Sequence, residues 1–194
     1  MNKFILSTTL ITTTLLITAL VFVNSEQAWS DEHNEEWSLF GLSSLKYTGV
    51  APVKNASYKD ECGSCHMAYP PGLLPQDSWK KVMRNLENHF GDNAELETST
   101  HQELLSYLTD NAADHSEYRR SQKIMRSLNS NETVDRITKT PYFIRKHDEI
   151  PKRLVVDNPK VGSFSQCNLC HLNAQKGSFS EDEVSIPGVG YWGE

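Results

Sequence analysis

The chain has 194 residues, 25 acidic against 19 basic for a formal charge of −6, and only four cysteines. That length holds one domain or two small ones. The acidic balance argues against a reader of nucleic-acid backbone, and the chain is cysteine-poor.

Residues 1–30 read as an export signal. Lys3 supplies a short positive start, and Phe4 to Val23 is apolar, though diluted by six threonines. Ala28-Trp29-Ser30 then offers a small-residue cleavage site. The rival reading is an uncleaved anchor, since about 20 apolar residues can span a bilayer. The threonines and the nearby cleavage site favour removal. Either way the folded part lies outside the cytoplasm, in the periplasm, and touches a membrane only if the anchor stays. The remainder divides into an N-terminal part, 31–115, and a connector with C-terminal part, 116–194.

Asp31 to Glu36 is a loose acidic leader. Trp37, Leu39, Phe40, Leu42, Leu45 and Tyr47 form an aperiodic apolar arm. Pro52 and Asn55 mark loop before a first short motif, Cys62-Gly63-Ser64-Cys65-His66. Tyr69-Pro70-Pro71-Gly72-Leu73-Leu74-Pro75 is too rich in proline for a helix and predicts a stiff loop. A helix follows, N-capped by Asp77, with Trp79, Val82, Met83, Leu86 and Phe90 on one apolar stripe and Gly91 at its end. His89 borders that stripe. A second helix is predicted from Thr100, with Glu103 completing a capping box, to about Ala112. Its inner face carries Leu104, Leu105 and Leu108.

Residues 116–128 are polar and helical, with Ile124, Met125 and Leu128 as their apolar side. Asn129-Ser130-Asn131 reads as a turn. Thr140-Pro141 opens a short helix as N-cap and first residue, and Pro151 stops it. Phe143 and His147, four apart, share a face. A second motif, Cys167-Asn168-Leu169-Cys170-His171, follows Gly162 to Ser165. The tail, with Gly177, Pro187, Gly188 and Gly190, predicts irregular structure without strand pairs. Net charge runs −8 over 31–115, +5 over 116–160 and −3 over 161–194. The basic band either lies against acidic neighbours or forms a docking face for a charged partner.

The two motifs share the pattern C-x-x-C-H, 105 residues apart, and use every cysteine in the chain. That pattern attaches a c-type haem. Two thiols about one helical turn apart add to the two vinyl groups of a porphyrin, and the adjacent histidine meets the iron. A shared zinc ribbon would separate its pairs by roughly 15–20 residues, whereas 101 residues lie between Cys65 and Cys167. A thioredoxin-like pair would follow a strand in a βαβ unit, and neither motif does. Two covalently bound haem c groups are therefore expected, held by Cys62, Cys65, His66, Cys167, Cys170 and His171. Attachment of this haem class takes place outside the cytoplasmic membrane, in agreement with the export signal. The haems also serve as core for a thin fold, so the haem-free chain is expected to be largely unfolded.

The second axial ligand decides what such irons do, because an iron with two protein ligands has no room for substrate. Five histidines remain. His33 lies in the leader, and His101 and His115 read as surface. His89 and His147 each sit by an apolar helical face with aromatic neighbours. They lie 23 residues after His66 and 24 before His171, respectively. They are the candidate distal ligands, so the metal set is His66, His89, His147 and His171. Methionine is the competitor: Met67 adjoins a proximal ligand, Met83 sits in a packing stripe, and Met125 is open to the second haem. Local pairing, His66 with His89 and His171 with His147, is the simplest; crossed pairing stays open.

These residues resemble a known family. Glu61 to Pro75, Trp79, His89 to Ala94 and Asn111 to Asp114 are similar to the first half of the bacterial dihaem cytochrome c family. His147 to Ile150, Ser163-Phe164, Cys167 to His171 and Gly177 to Pro187 match its second half. The resemblance implies an all-α fold of two small haem-binding domains, the first similar to class I cytochrome c, with long irregular loops. It also implies bis-histidine ligation at both irons, and electron delivery to an oxygen-binding monohaem cytochrome beside a membrane cytochrome b. Residues 116–139 match weakly, so no partner face is carried over.

The sequence thus reads as an exported electron carrier, not an enzyme, with no catalytic residue and no nucleic-acid partner. Lys and Arg residues from 119 to 153 are the candidates for steering a redox protein. The alternatives are a dihaem peroxidase or small-molecule reductase with one open iron, and a haem-based ligand sensor.

Overall fold

Trp79 organises the start of the fold. Its indole N–H donates to the Pro71 carbonyl at 2.8 Å in a buried hydrogen bond. That bond pins the proline-rich loop, whose residues from Pro70 to Pro75 are all buried. A 3-10 turn at Pro71–Leu73 gives the loop its shape. The computed structural model describes residues 47–129 and 133–192. The export segment, the leader, the arm up to Leu45 and the turn residues Ser130 and Asn131 lie outside them.

Among the described residues the architecture is helical, with short elements joined by 3-10 turns and loops. Helix α1 is Ala56–Cys62. Asn55 caps it, its side-chain oxygen accepting from the Tyr58 N–H at 2.7 Å. Helix α2 is Gln76–Met83, α3 Thr98–Asp110 and α4 Arg119–Ser127. Helix α5 is Pro141–His147, α6 Lys152–Val155 and α7 Cys167–Cys170. Helix α5 begins as its sequence predicts: the Thr140 hydroxyl accepts from the Phe143 N–H at 3.2 Å, with Pro141 in the first turn.

Three boundaries differ from the sequence expectation. The stripe from Trp79 to Phe90 is not one helix. Helix α2 stops at Met83, and Asn85 leaves helical geometry at φ −132°, ψ 42°. Its amide donates to the Asn88 carbonyl at 3.0 Å, the local competition with helix that asparagine offers. Asp77, read as a cap, instead lies in the first turn and pairs with Lys80 at 3.1 Å.

Helix α3 begins at Thr98, so Thr100 is inside it and caps nothing. Glu103 instead meets the Asn55 amide at 3.5 Å. His101, read as surface, turns inward, and its Nε2–H donates to the Met83 carbonyl at 2.9 Å, tying α3 to the end of α2.

The tail contains a minimal hairpin, β1 Ser185–Ile186 against β2 Gly190–Tyr191, antiparallel, with Ser185 opposite Tyr191. Pro187 and Gly188 occupy its turn. Gly188 has φ +81°, and the Val189 N–H meets the Ile186 carbonyl at 2.9 Å. Proline then glycine at the centre is the pattern of a type II turn.

Two hydrophobic cores form among the described residues. One gathers Trp79, Met83, Leu86, Leu104, Leu108 and neighbours between α1, α2 and α3. The other gathers Met67, Leu73, Ile124, Tyr142, Ala174 and Phe179. Tyr69, Leu128 and Ile137 pack against both, and both lie in one compact unit, Leu42–Glu194. Leu104 is fully buried. Leu104→Ala is expected to cost about 2–5 kcal/mol, read as a lowered denaturation midpoint of the haem-loaded protein.

Candidate functional site

The first motif sits where α1 ends. Cys62 is the last helical residue and half-buried, while Cys65 and His66 follow in turn conformation. The His66 Nδ1 lies 2.8 Å from the Met67 carbonyl. A carbonyl only accepts, so Nδ1 carries the proton and Nε2 keeps its lone pair for a metal. His147 repeats this device, with Nδ1 at 2.9 Å from the Phe143 carbonyl one helical turn back. In metal sites such outer hydrogen bonds fix the ring and its tautomer.

His89 reaches His66 by a turn rather than a helix face. The backbones of His89 and Asp92 exchange hydrogen bonds at 2.7 and 3.2 Å. Phe90 and Gly91 between them have φ +58° and +111°, the positive pair of a tight hairpin turn. For phenylalanine this left-handed backbone is strained by roughly 1 kcal/mol or more. Its ring lies half exposed beneath the Arg136 guanidinium, 3.8 Å from the ring centroid. The cation–π contact holds the residue that aims His89.

The four histidines fall into two pairs. The rings of His66 and His89 are 6.2 Å apart between centroids, with planes at 26°. Those of His147 and His171 are also 6.2 Å apart, with planes at 74°. An imidazole nitrogen bonds a first-row metal at about 2.0–2.1 Å and lies about 1.1 Å from its ring centroid, so two imidazoles facing across one metal have centroids about 6.3 Å apart. Both spacings fit an iron between the rings. The structure brings together locally paired histidines, His66 with His89 and His147 with His171. Of the remaining candidates, His115 is exposed, Met67 and Met83 are buried in the two cores, and His33 lies outside the described residues.

Aromatic rings complete the surroundings. His147 stacks on Phe143 at 3.8 Å and 12°, and Phe164 meets His147 edge-on at 6.1 Å. His171 packs against Phe179 at 5.4 Å. Burial, then the neighbouring His147, pushes the His171 imidazole down to about 4. Burial likewise lowers His89 and His147. Neutral imidazole is the form that binds metal. Burial pushes the thiols of Cys62 and Cys167 up to about 11 and raises Cys170. That is opposite to the lowered pKa of a redox-active thiol. Among the described residues no three His, Cys, Asp or Glu side chains converge as a zinc site requires.

In the sequence Tyr69 belongs to the stiff loop and carries no other signal. Its ring stacks on His66 at 4.8 Å, and its hydroxyl donates to the Ser165 carbonyl at 2.7 Å. The aromatic residue three after His66 is visible in the sequence, but a partner 96 residues away is not.

Two C-x-x-C-H motifs, each beside a pair of imidazoles at metal-spanning distance, on short helices and loops, define a cytochrome of the c type with two haem sites. Residues 58–179 match the dihaem cytochrome c family, and the chain belongs to it. It is similar to the X-ray structure of a diheme cytochrome c from Shewanella baltica OS155. That match has 51% identity and a TM-score of 0.60, covering 72% of this chain and 98% of that one. It is also similar to a diheme cytochrome c from Rhodobacter sphaeroides, at 40% identity and a TM-score of 0.60, covering 67% of this chain and 100% of that one. No curated protein matches the chain. The all-α reading holds apart from the small hairpin. Family membership brings two covalently attached haem c groups and assigns the chain to electron transfer.

Proposed function

We propose that this chain is a periplasmic carrier of single electrons whose two irons are each closed by two imidazoles. Cys62 and Cys65 hold one porphyrin, with His66 proximal and His89 distal. Cys167 and Cys170 hold the other, with His171 proximal and His147 distal. The single observation behind this reading is the equal 6.2 Å spacing of the two histidine pairs. With two imidazoles on each iron, substrate would have no place on either. Two imidazoles also give a lower potential than histidine with methionine.

The spectra of the oxidised protein test it. Imidazole planes near parallel split the two π-symmetry orbitals of ferric iron, while planes near perpendicular leave them almost degenerate. The angles of 26° and 74° therefore predict two distinct low-spin electron-spin resonance signals, one rhombic and one strongly anisotropic. A high-spin signal, or carbon monoxide uptake by the native reduced protein, would favour the open-iron enzyme or a ligand sensor.

Donor and acceptor are proposed from the family resemblance: a membrane cytochrome b and an oxygen-binding monohaem cytochrome. The basic band supports an acidic partner, and its cations divide. Lys139 meets Asp135 at 2.8 Å and Lys146 meets Glu181 at 2.9 Å within the chain. Arg126, Lys152 and Arg153 are exposed and are the proposed steering residues. Transfer to the acceptor is expected to slow steeply as salt rises toward about 0.15 M, where screening shortens to about 8 Å. Stopped-flow rates that ignore salt, or that survive charge reversal at these three positions, would remove the docking proposal.

A further inference from the structure

Tyr69 stands between the two sites. Its ring lies on the His66 imidazole, centroids 4.8 Å apart and planes at 26°. Its hydroxyl donates at 2.7 Å to the carbonyl of Ser165, two residues before Cys167. The same ring packs against both hydrophobic cores, and Cys167 borders the second of them. Its backbone is fixed as well. The Tyr58 hydroxyl donates to the Tyr69 carbonyl at 2.8 Å, and Pro70 restricts the residue before it. Leu128 and Ile137 also touch both cores, but their side chains have no polar atom with which to bond a second segment.

We propose that Tyr69 is the link through which an electron passes between the two haem sites. The inference rests on the ligation proposed above. The path runs from the His66 ring to the Tyr69 ring, through the hydroxyl to the Ser165 carbonyl, and along two residues to the thioether at Cys167. Electron tunnelling weakens less along bonded and touching atoms than across a gap, so a continuous chain of contacts outcompetes a longer route through loose packing. One electron would pass between the iron held by His66 and the iron held by His171, one going from ferrous to ferric as the other goes from ferric to ferrous. No bond forms or breaks, and Tyr69 keeps its proton throughout.

A ring that merely filled space would not need its hydroxyl, and this separates coupling from packing. The test uses the full haem-loaded chain with Tyr69→Phe and Tyr69→Leu. Low-spin spectra are recorded first. Intramolecular exchange is then read at half reduction from the broadening of haem-methyl proton resonances. Tyr69→Phe is expected to keep both low-spin signals and slow exchange severalfold, and Tyr69→Leu to slow it further. Unchanged exchange in Tyr69→Phe, with spectra intact, overturns the link. If Tyr69→Leu fails to take up haem, the isosteric Tyr69→Phe decides alone. A high-spin spectrum in the unaltered protein would instead bring down the ligation reading.

Discussion

Replacing His147 with alanine is expected to open one iron and leave the other as it was. On the proposed pairing the strongly anisotropic signal disappears, a high-spin signal takes its place, and the reduced variant binds one carbon monoxide per chain. His89→Ala should do the same to the rhombic signal. Each distal ring faces its proximal partner within the same pair, at 6.2 Å, and the two distal residues belong to different elements. His147 is held by its hydrogen bond to Phe143 and by the Phe143 stack. His89 is held by the Phe90–Gly91 turn. Removing one imidazole leaves the other pair's supports untouched. The space left at His147 is bordered by the Phe143 and Phe164 rings, which suit a small apolar gas, and by the freed Phe143 carbonyl, which offers water one partner. If either single variant altered both signals equally, local pairing would be wrong and a crossed arrangement would replace it.

The contrast between the two distal histidines shows what a sequence can carry. His147 lies on a helix whose start is written locally, in Thr140 and Pro141, and whose face follows from spacing of four. Its stack on Phe143 was therefore legible. His89 has its expected aromatic neighbour, Phe90, but stands on a turn rather than a helix. The apolar stripe ran past the true end of α2 because Leu86 and Phe90 keep helical phase while Asn85 breaks the backbone. Leu86 does reach the core, but Phe90 does not: it is 45% exposed under Arg136. The capping box at Thr100 failed for a similar reason. His101 gains a hydrogen bond to Met83 once the helix starts three residues earlier, with Glu97 in place of Thr100 at the cap. The turn at Pro187-Gly188 was readable but too short to suggest strands. The Tyr69–Ser165 bond had no local signature, since its partners come together only through tertiary packing.

Without haem the chain is expected to lose most of its ordered structure. The test is the protein with all four cysteines replaced by alanine, followed by far-UV dichroism and amide exchange. Helices α1 to α7 run from 4 to 13 residues, and isolated helices shorter than about 12–15 residues are marginal in water. Only α3 reaches that range, so packing must supply the rest. Each porphyrin buries at least as much apolar surface as a tryptophan, about 250 Å², worth about 6 kcal/mol at about 25 cal/mol per Å². Losing two removes about 12 kcal/mol, comparable with the whole stability of a domain, about 5–15 kcal/mol. The loss should be uneven. Helices α2 and α3 keep a core of their own in Trp79, Met83, Leu104 and Leu108, so residual protection is expected there. Around the second motif, α7 has four residues and buries none of them, and the hairpin beyond has two residues per strand. That region should exchange at nearly unfolded rates. Near-native dichroism in the cysteine-free protein would show that the polypeptide, and not the cofactor, supplies the core around the second pair of histidines.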